Sequence, residues 1–284
     1  VGIVSATNEN ATSDNFNLLR GIVNQKQPMK NEITLDQARK VLEVVDVGLC
    51  GGIGNPVPGE MCVEAAVCYA LGQPHGDDPE CVNAAVRRFK IELNDARWSS
   101  NQARSAGMRK LAIAQLGTND KFFDEKKFVE VLIEQTIRKI VPYALRLAVK
   151  TAKDERKQTL EEAALRCERD GDRAAAWNAQ EASYAAYTAS YAAYAASYAA
   201  IYASAYAANA AYAANAANAA NAAADAADAY AAAAACADAA HAAACADAAA
   251  NDDIALKMSA DIGVQALRAA GAHGIKLMDQ LIPE

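Results

Sequence analysis

The stretch Tyr184-Ala-Ala-Tyr187-Thr-Ala-Ser-Tyr191-Ala-Ala-Tyr194-Ala-Ala-Ser-Tyr198 lies within a segment, 174–250, in which 47 of 77 residues are Ala and none is Gly, Pro, Lys or Arg. Ala has the most favourable helix propensity, so the leading expectation over such a window is helix, against a low-complexity tail or a solenoid of short turns. The Tyr spacing of 3 and 4 places Tyr184, Tyr187, Tyr191, Tyr194 and Tyr198 on one helical ridge, which Tyr202 and Tyr206 continue. Beyond Tyr212 the ridge turns polar through Asn215, Asn218, Asn221, Asp225 and Asp228.

One straight helix of that length would run about 115 Å at ~1.5 Å per residue and bury little apolar area. A tight antiparallel hairpin is therefore expected, since methyl-only faces let helix axes approach closely. No Gly or Pro marks its turn, and the Asn-rich 209–221 is the candidate. The ridge has two readings. Its rings either pack on the opposing Ala face, the preferred one, or form a contact face for a protein partner or a second copy.

Working outward, 1–31 is polar and Asn-rich, and is read as a loosely ordered leader without a targeting core. Thr34 and Gln37 form a capping box that opens a helix over 35–47, ended by Gly48. A Gly/Pro-rich loop, 48–59, precedes an expected helix over 59–71. Asp78 and Pro79 suggest the N-cap and first residue of a helix over 79–95. Ser99 with Gln102 suggests another capping box for 100–116, and Asp124 the cap of a helix that Pro142 breaks or kinks. The mixed charged and apolar run 143–170 reads as one amphipathic helix, and 254–284 as a C-terminal helix docking on the bundle. No segment alternates with period two. The fold class expected is all-α, a helical bundle with a long Ala-rich antiparallel hairpin, divided as leader 1–31, helical domain 32–170, hairpin 171–253 and C-terminal helix 254–284.

A net charge of −7 argues against broad attraction to nucleic acid or anionic membrane, and no run of strongly apolar residues reaches the ~20 needed to cross a bilayer. Seven scattered Cys without paired spacing fit reduced thiols in a cytoplasm.

Two constellations have the residue types for chemistry. Cys62 is read first as a small buried Cys packed beside Val63, Ala66 and Val67, but it also falls in the first turn of a helix behind a Gly-rich loop, where the dipole favours thiolate. This gives the alternative of a cysteine-dependent hydrolase or transferase. His75 lies past the other end of that helix, roughly 15–20 Å away along its axis, which weakens it as the base and leaves His241 or His273 as alternatives. Asp238, His241 and Cys245 share a helix face and could offer O, N and S to zinc. Three ligands on one straight helix do not converge on one ion, so they read as a continuation of the polar stripe, and no cofactor is expected.

The Ala-rich tract, with Tyr191-Ala-Ala-Tyr194, Asn215-Ala-Ala-Asn218 and His241-Ala-Ala-Ala-Cys245, resembles the Ala-rich helical immunity proteins of bacterial polymorphic toxin systems. The resemblance covers roughly 174–250, leaves out Cys50 to Cys81 and transfers no functional residue. It implies a non-enzymatic protein that binds and neutralises one protein partner.

Overall fold

A computed structural model describes residues 33–193, 213–214, 216–221, 233, 235–236, 238–239, 242–243 and 253–283, with the side chains of 187–193 outside that set. The leader 1–31 and the supposed turn's first residues, 209–212, lie outside it. Among the described residues the protein is all-α, without a strand. The helices are α1 (Leu35–Val47), α2 (Val63–Ala70), α3 (Ala84–Asp95), α4 (Asn101–Ala114), α5 (Glu125–Gln135), α6 (Val141–Val149), α7 (Asp154–Asp170), α8 (Arg173–Ala193), α9 (Ile254–Ala269) and α10 (His273–Leu281). Among the described residues no helix is long and apolar enough to cross a membrane.

The core forms around α4, which packs on α1, α9 and α10, while α9 also covers α5. Phe89 and Phe128 meet edge to face at 6.5 Å in this core, and both are fully buried. Small residues set the closest approaches. A Cβ at Gly263 would lie 2.6 Å from the Phe89 ring, and one at Gly107 would lie 2.3 Å from Trp98.

Two helix starts differ from expectation because another residue engages the predicted cap. α1 begins at the Thr34–Gln37 capping box and ends at Gly48, as expected. Asp78 instead pairs with Arg87, and the N-cap of α3 is Asn83, whose Oδ1 accepts from the Ala85 N–H at 2.8 Å. Ser99 binds Asp253 through both its N–H and its hydroxyl, at 2.8 and 2.7 Å, so Ser100 caps α4. Residues 143–170 are two helices, broken at Lys150–Lys153, and 254–284 also holds two.

Pro142 does not break the helical run, but regular α geometry is interrupted just before it. Thr136–Ile140 forms a π-helical turn between α5 and α6, and Pro142 sits in the first turn of α6, where a missing N–H is tolerated. This turn carries Arg138, whose Nη1 donates to the carbonyls of Glu168 and Arg169 at 2.6 and 2.7 Å and whose Nη2 donates to that of Asp170 at 3.0 Å. A cation on the last carbonyls complements the negative end of α7. The chain then leaves through Gly171 at φ 64°.

The Ala tract folds back on the bundle. Residues 216–221 are helical and so cannot be the turn, which corrects the expectation for that part of 209–221. Ala213, Ala214, Ala217 and Ala220 are buried there, and so are Ala233, Cys236, Ala239 and Ala243 further on. Cys236 lies beside Thr136, so this later part of the tract lies against the π turn.

Candidate functional site

The Gly/Pro-rich loop is a braced hairpin rather than the start of a helix. Gly54 and Met61 form an antiparallel bridge, the Cys50 N–H donates to Met61 O at 2.9 Å, and the Asn55 N–H donates to Glu60 O at 2.8 Å. Helix α2 therefore begins only at Val63, not at 59. Side chains from α3 and α4 fix the loop from behind. Asn94 accepts from the Val63 N–H at 3.2 Å and donates to Cys50 O at 3.0 Å, and Asp95 accepts from the Gly52 N–H at 2.7 Å. Arg104 donates to Leu49 O and Asn94 O. Gly54, at φ 68°, has room for no side chain, since a Cβ would fall 2.6 Å from Cys50 Sγ.

Cys62 is the N-cap of α2, not a residue of its first turn, and its Sγ accepts from the Ala65 N–H at 3.3 Å. The thiol is buried, and burial pushes its pKa up to about 11, with the Ala65 hydrogen bond pulling the other way. Desolvation thus outweighs the helix N-terminus, in keeping with the preferred reading of Cys62 as a packed thiol rather than a thiolate. His75 reaches back over the loop, 3.1 Å from Gly54 O, so the expected separation along α2 misjudged its place. Its contact is to a backbone carbonyl, while Cys62 is held by Ala65. His273 lies in contact with Ile33 O at 3.2 Å, and His241 lies outside the described residues.

Behind Cys62 lies an ion pair the sequence did not reveal. Lys90 Nζ and the Glu64 carboxylate are 3.0 Å apart, both fully buried, and join α3 to α2. Burial pushes the Glu64 carboxyl up and the Lys90 ammonium down, each opposed by the other's charge. A cavity of about 20 Å³ next to Glu64, Cys62 and Asn94 has room for about one water molecule. That is far below the ~300–1,000 Å³ of ordinary ligand pockets.

The second candidate is the aromatic ridge. On α8 the buried positions are Ala175, Ala176, Ala179, Ala182, Ser183 and Ala186, an inward stripe at helical spacing. Tyr184 is 58% exposed and Trp177 is 57% exposed. They are seven residues apart and so share the outer face. For Tyr184 the core reading is overturned: methyl groups, not rings, make the helix contact. Trp177, seven residues or two turns before Tyr184, extends this ridge, a spacing the sequence itself carries. Tyr187 and Tyr191 belong to α8 by position, but their side chains lie outside the described residues, as do Tyr194, Tyr198, Tyr202 and Tyr206.

Asp238 is exposed, on the side of its helix away from buried Cys236 and Ala239, while His241 and Cys245 lie outside the described residues. Among the described residues no three of His, Cys, Asp and Glu are grouped to hold a metal ion. Comparison of the chain with protein-family models, with curated proteins and with solved structures gives no match.

Proposed function

We propose that this is a non-enzymatic interaction protein whose α8 presents an aromatic face to a protein partner or to a second copy of itself. The observation that carries the reading is the inversion of α8, with Ala stripe inward and Trp177 and Tyr184 outward. Trp and Tyr are enriched at interface hot spots because a large rigid ring gains contact area at little cost in entropy. The immunity-like case, in which the partner is a toxin neutralised by binding, is one form of this reading. Thiols held protonated by burial are compatible with work in a reducing cytoplasm.

The competing hydrolase or transferase reading asks for a thiolate at Cys62 and a base beside it. The raised thiol pKa and the placement of His75 on Gly54 O weigh against both requirements.

The test is site-specific photo-crosslinking in the cells that make the protein, with a benzophenone side chain at position 177 and a control at exposed Phe122. A discrete adduct from 177, absent from 122 and lost with Tyr184→Ala, is expected. Absence of any adduct from 177, together with loss of biological activity in Cys62→Ser, would favour the enzyme.

A further inference from the structure

We infer that the tip of the 48–62 loop is a second docking surface, suited to a protein that offers an apolar pocket edged by Lys or Arg. Three large aliphatic side chains stand in solvent there: Val47 is 55% exposed, Ile53 45% and Val57 49%. Val47 belongs to the same patch because a Cβ on Gly59 would lie 3.2 Å from its Cγ1. A soluble protein normally scatters such residues, and a cluster at one tip marks an interaction site.

The tip is built rigid. The bridge between Gly54 and Met61, the Asp95 bond to the Gly52 N–H, the Asn94 bond to Cys50 O and the His75 contact with Gly54 O fix it from several sides. The Cys50 thiol donates to Glu60 O at 3.1 Å across its base. A loop already held in one shape loses little conformational freedom on binding.

Charge at the edge selects the partner. Ile53, Asp77 and Asp95 border one cavity, and Glu60 joins Val57 through its N–H at 2.9 Å. Glu60, Asp77 and Asp95 are exposed, and among the described residues none of the three sits in an ion pair. Arg87 pairs with Asp78 and Arg109 with Asp46, while Arg104, held by backbone carbonyls behind the loop, keeps its charge and acts on Asp95. Glu60 and Asp77 leave the outer rim negative. Complementarity favours a basic-edged protein surface and disfavours nucleic acid and anionic lipid.

The inference is independent of the α8 reading, and its test keeps the two apart. A random peptide library displayed on phage is panned against the immobilised full-length chain, and the enriched peptides are titrated by fluorescence anisotropy. Expected are peptides that join aliphatic or aromatic residues to Lys or Arg. Ile53→Asp should weaken them by at least about tenfold. Asp77→Asn should weaken them by about two- to fivefold, and raising NaCl from about 50 to 300 mM should weaken them further. Val57→Ser repeats the first arm with a milder change, and Trp177→Ala should leave affinity unchanged. Failure to enrich peptides, enrichment of acidic ones, or binding unaffected by both Ile53→Asp and Val57→Ser in folded protein would overturn the proposal. Peptides lost with Trp177→Ala alone would overturn it too, and would speak for the α8 face.

Discussion

The side-chain amide of Asn218 donates to Gln180 Oε1 at 2.7 Å, although 38 residues of chain separate them. On one straight helix those positions would lie about 57 Å apart at ~1.5 Å per residue, so the chain has reversed between them. The bond is part-buried, which places its net worth near the usual ~0.5–1.5 kcal/mol. A double-mutant cycle of Asn218→Ala and Gln180→Ala in urea should return a coupling energy in that range. Strict additivity would mean that the two amides do not meet.

Replacement of Glu64 by Gln, or of Lys90 by Met, leaves the other charge buried without its partner. Each single change should cost about 3–5 kcal/mol, whereas the double replacement should recover most of the loss or exceed the parent. Thermal melts of the four proteins decide this. Two mild single mutants would show that water reaches the pair.

Alkaline pH should unfold this protein unusually early. Burial raises Cys62 to about 11 and Cys68, Cys167 and Cys236 to about 12, from an ordinary value of 9.0. The unfolded chain releases these protons near pH 9 while the folded chain still holds them. Their contribution is therefore complete below about pH 9 and is lost as pH rises through about 11 to 12. Urea midpoints measured from pH 7 to 11 should fall steeply above 9, and the slope should flatten in Cys167→Ala/Cys236→Ala. An unchanged slope in that variant would rule out the thiols as the cause.

Gly107→Ala and Gly263→Ala press a methyl group into the rings of Trp98 and Phe89, and each should cost about 1–3 kcal/mol. Gly76→Ala is the control, because its nearest neighbour would be 3.9 Å away. Equal stability of all three by urea titration would show that these helices can move apart freely.

Ala179→Leu on the inward face of α8 should destabilise by about 1–3 kcal/mol, while Ala174→Leu on the exposed face should be near neutral. A response in melting temperature that ignores the face would remove the close helix contact.

Local chemistry was legible in the sequence wherever it acted alone. The Thr34–Gln37 box placed α1 to the residue, and Asp124 caps α5 as its spacing suggested. Legibility ended where another residue engaged the cap. Asp78 and Ser99 have cap chemistry, yet Arg87 and Asp253 take them, so α3 and α4 start later. Cys62 shows the same limit at the candidate site. Its apolar neighbours suggest burial, but how far desolvation outweighs the helix N-terminus is set by packing. The outward turn of Tyr184 needed the inward Ala stripe to be seen first, and Glu64 gives no hint of Lys90 across another helix.

The clamp of Arg138 on the end of α7 joins two positions into one evolutionary unit. A Cβ at Gly171 would lie 2.5 Å from Arg138 Nε, so no side chain enters position 171 while the guanidinium remains. Shortening Arg138 opens that space and at the same moment strips three carbonyls of their donor. Drift at either site alone is blocked, and related chains should either keep Arg and Gly together or change both, with a new cap supplied from elsewhere.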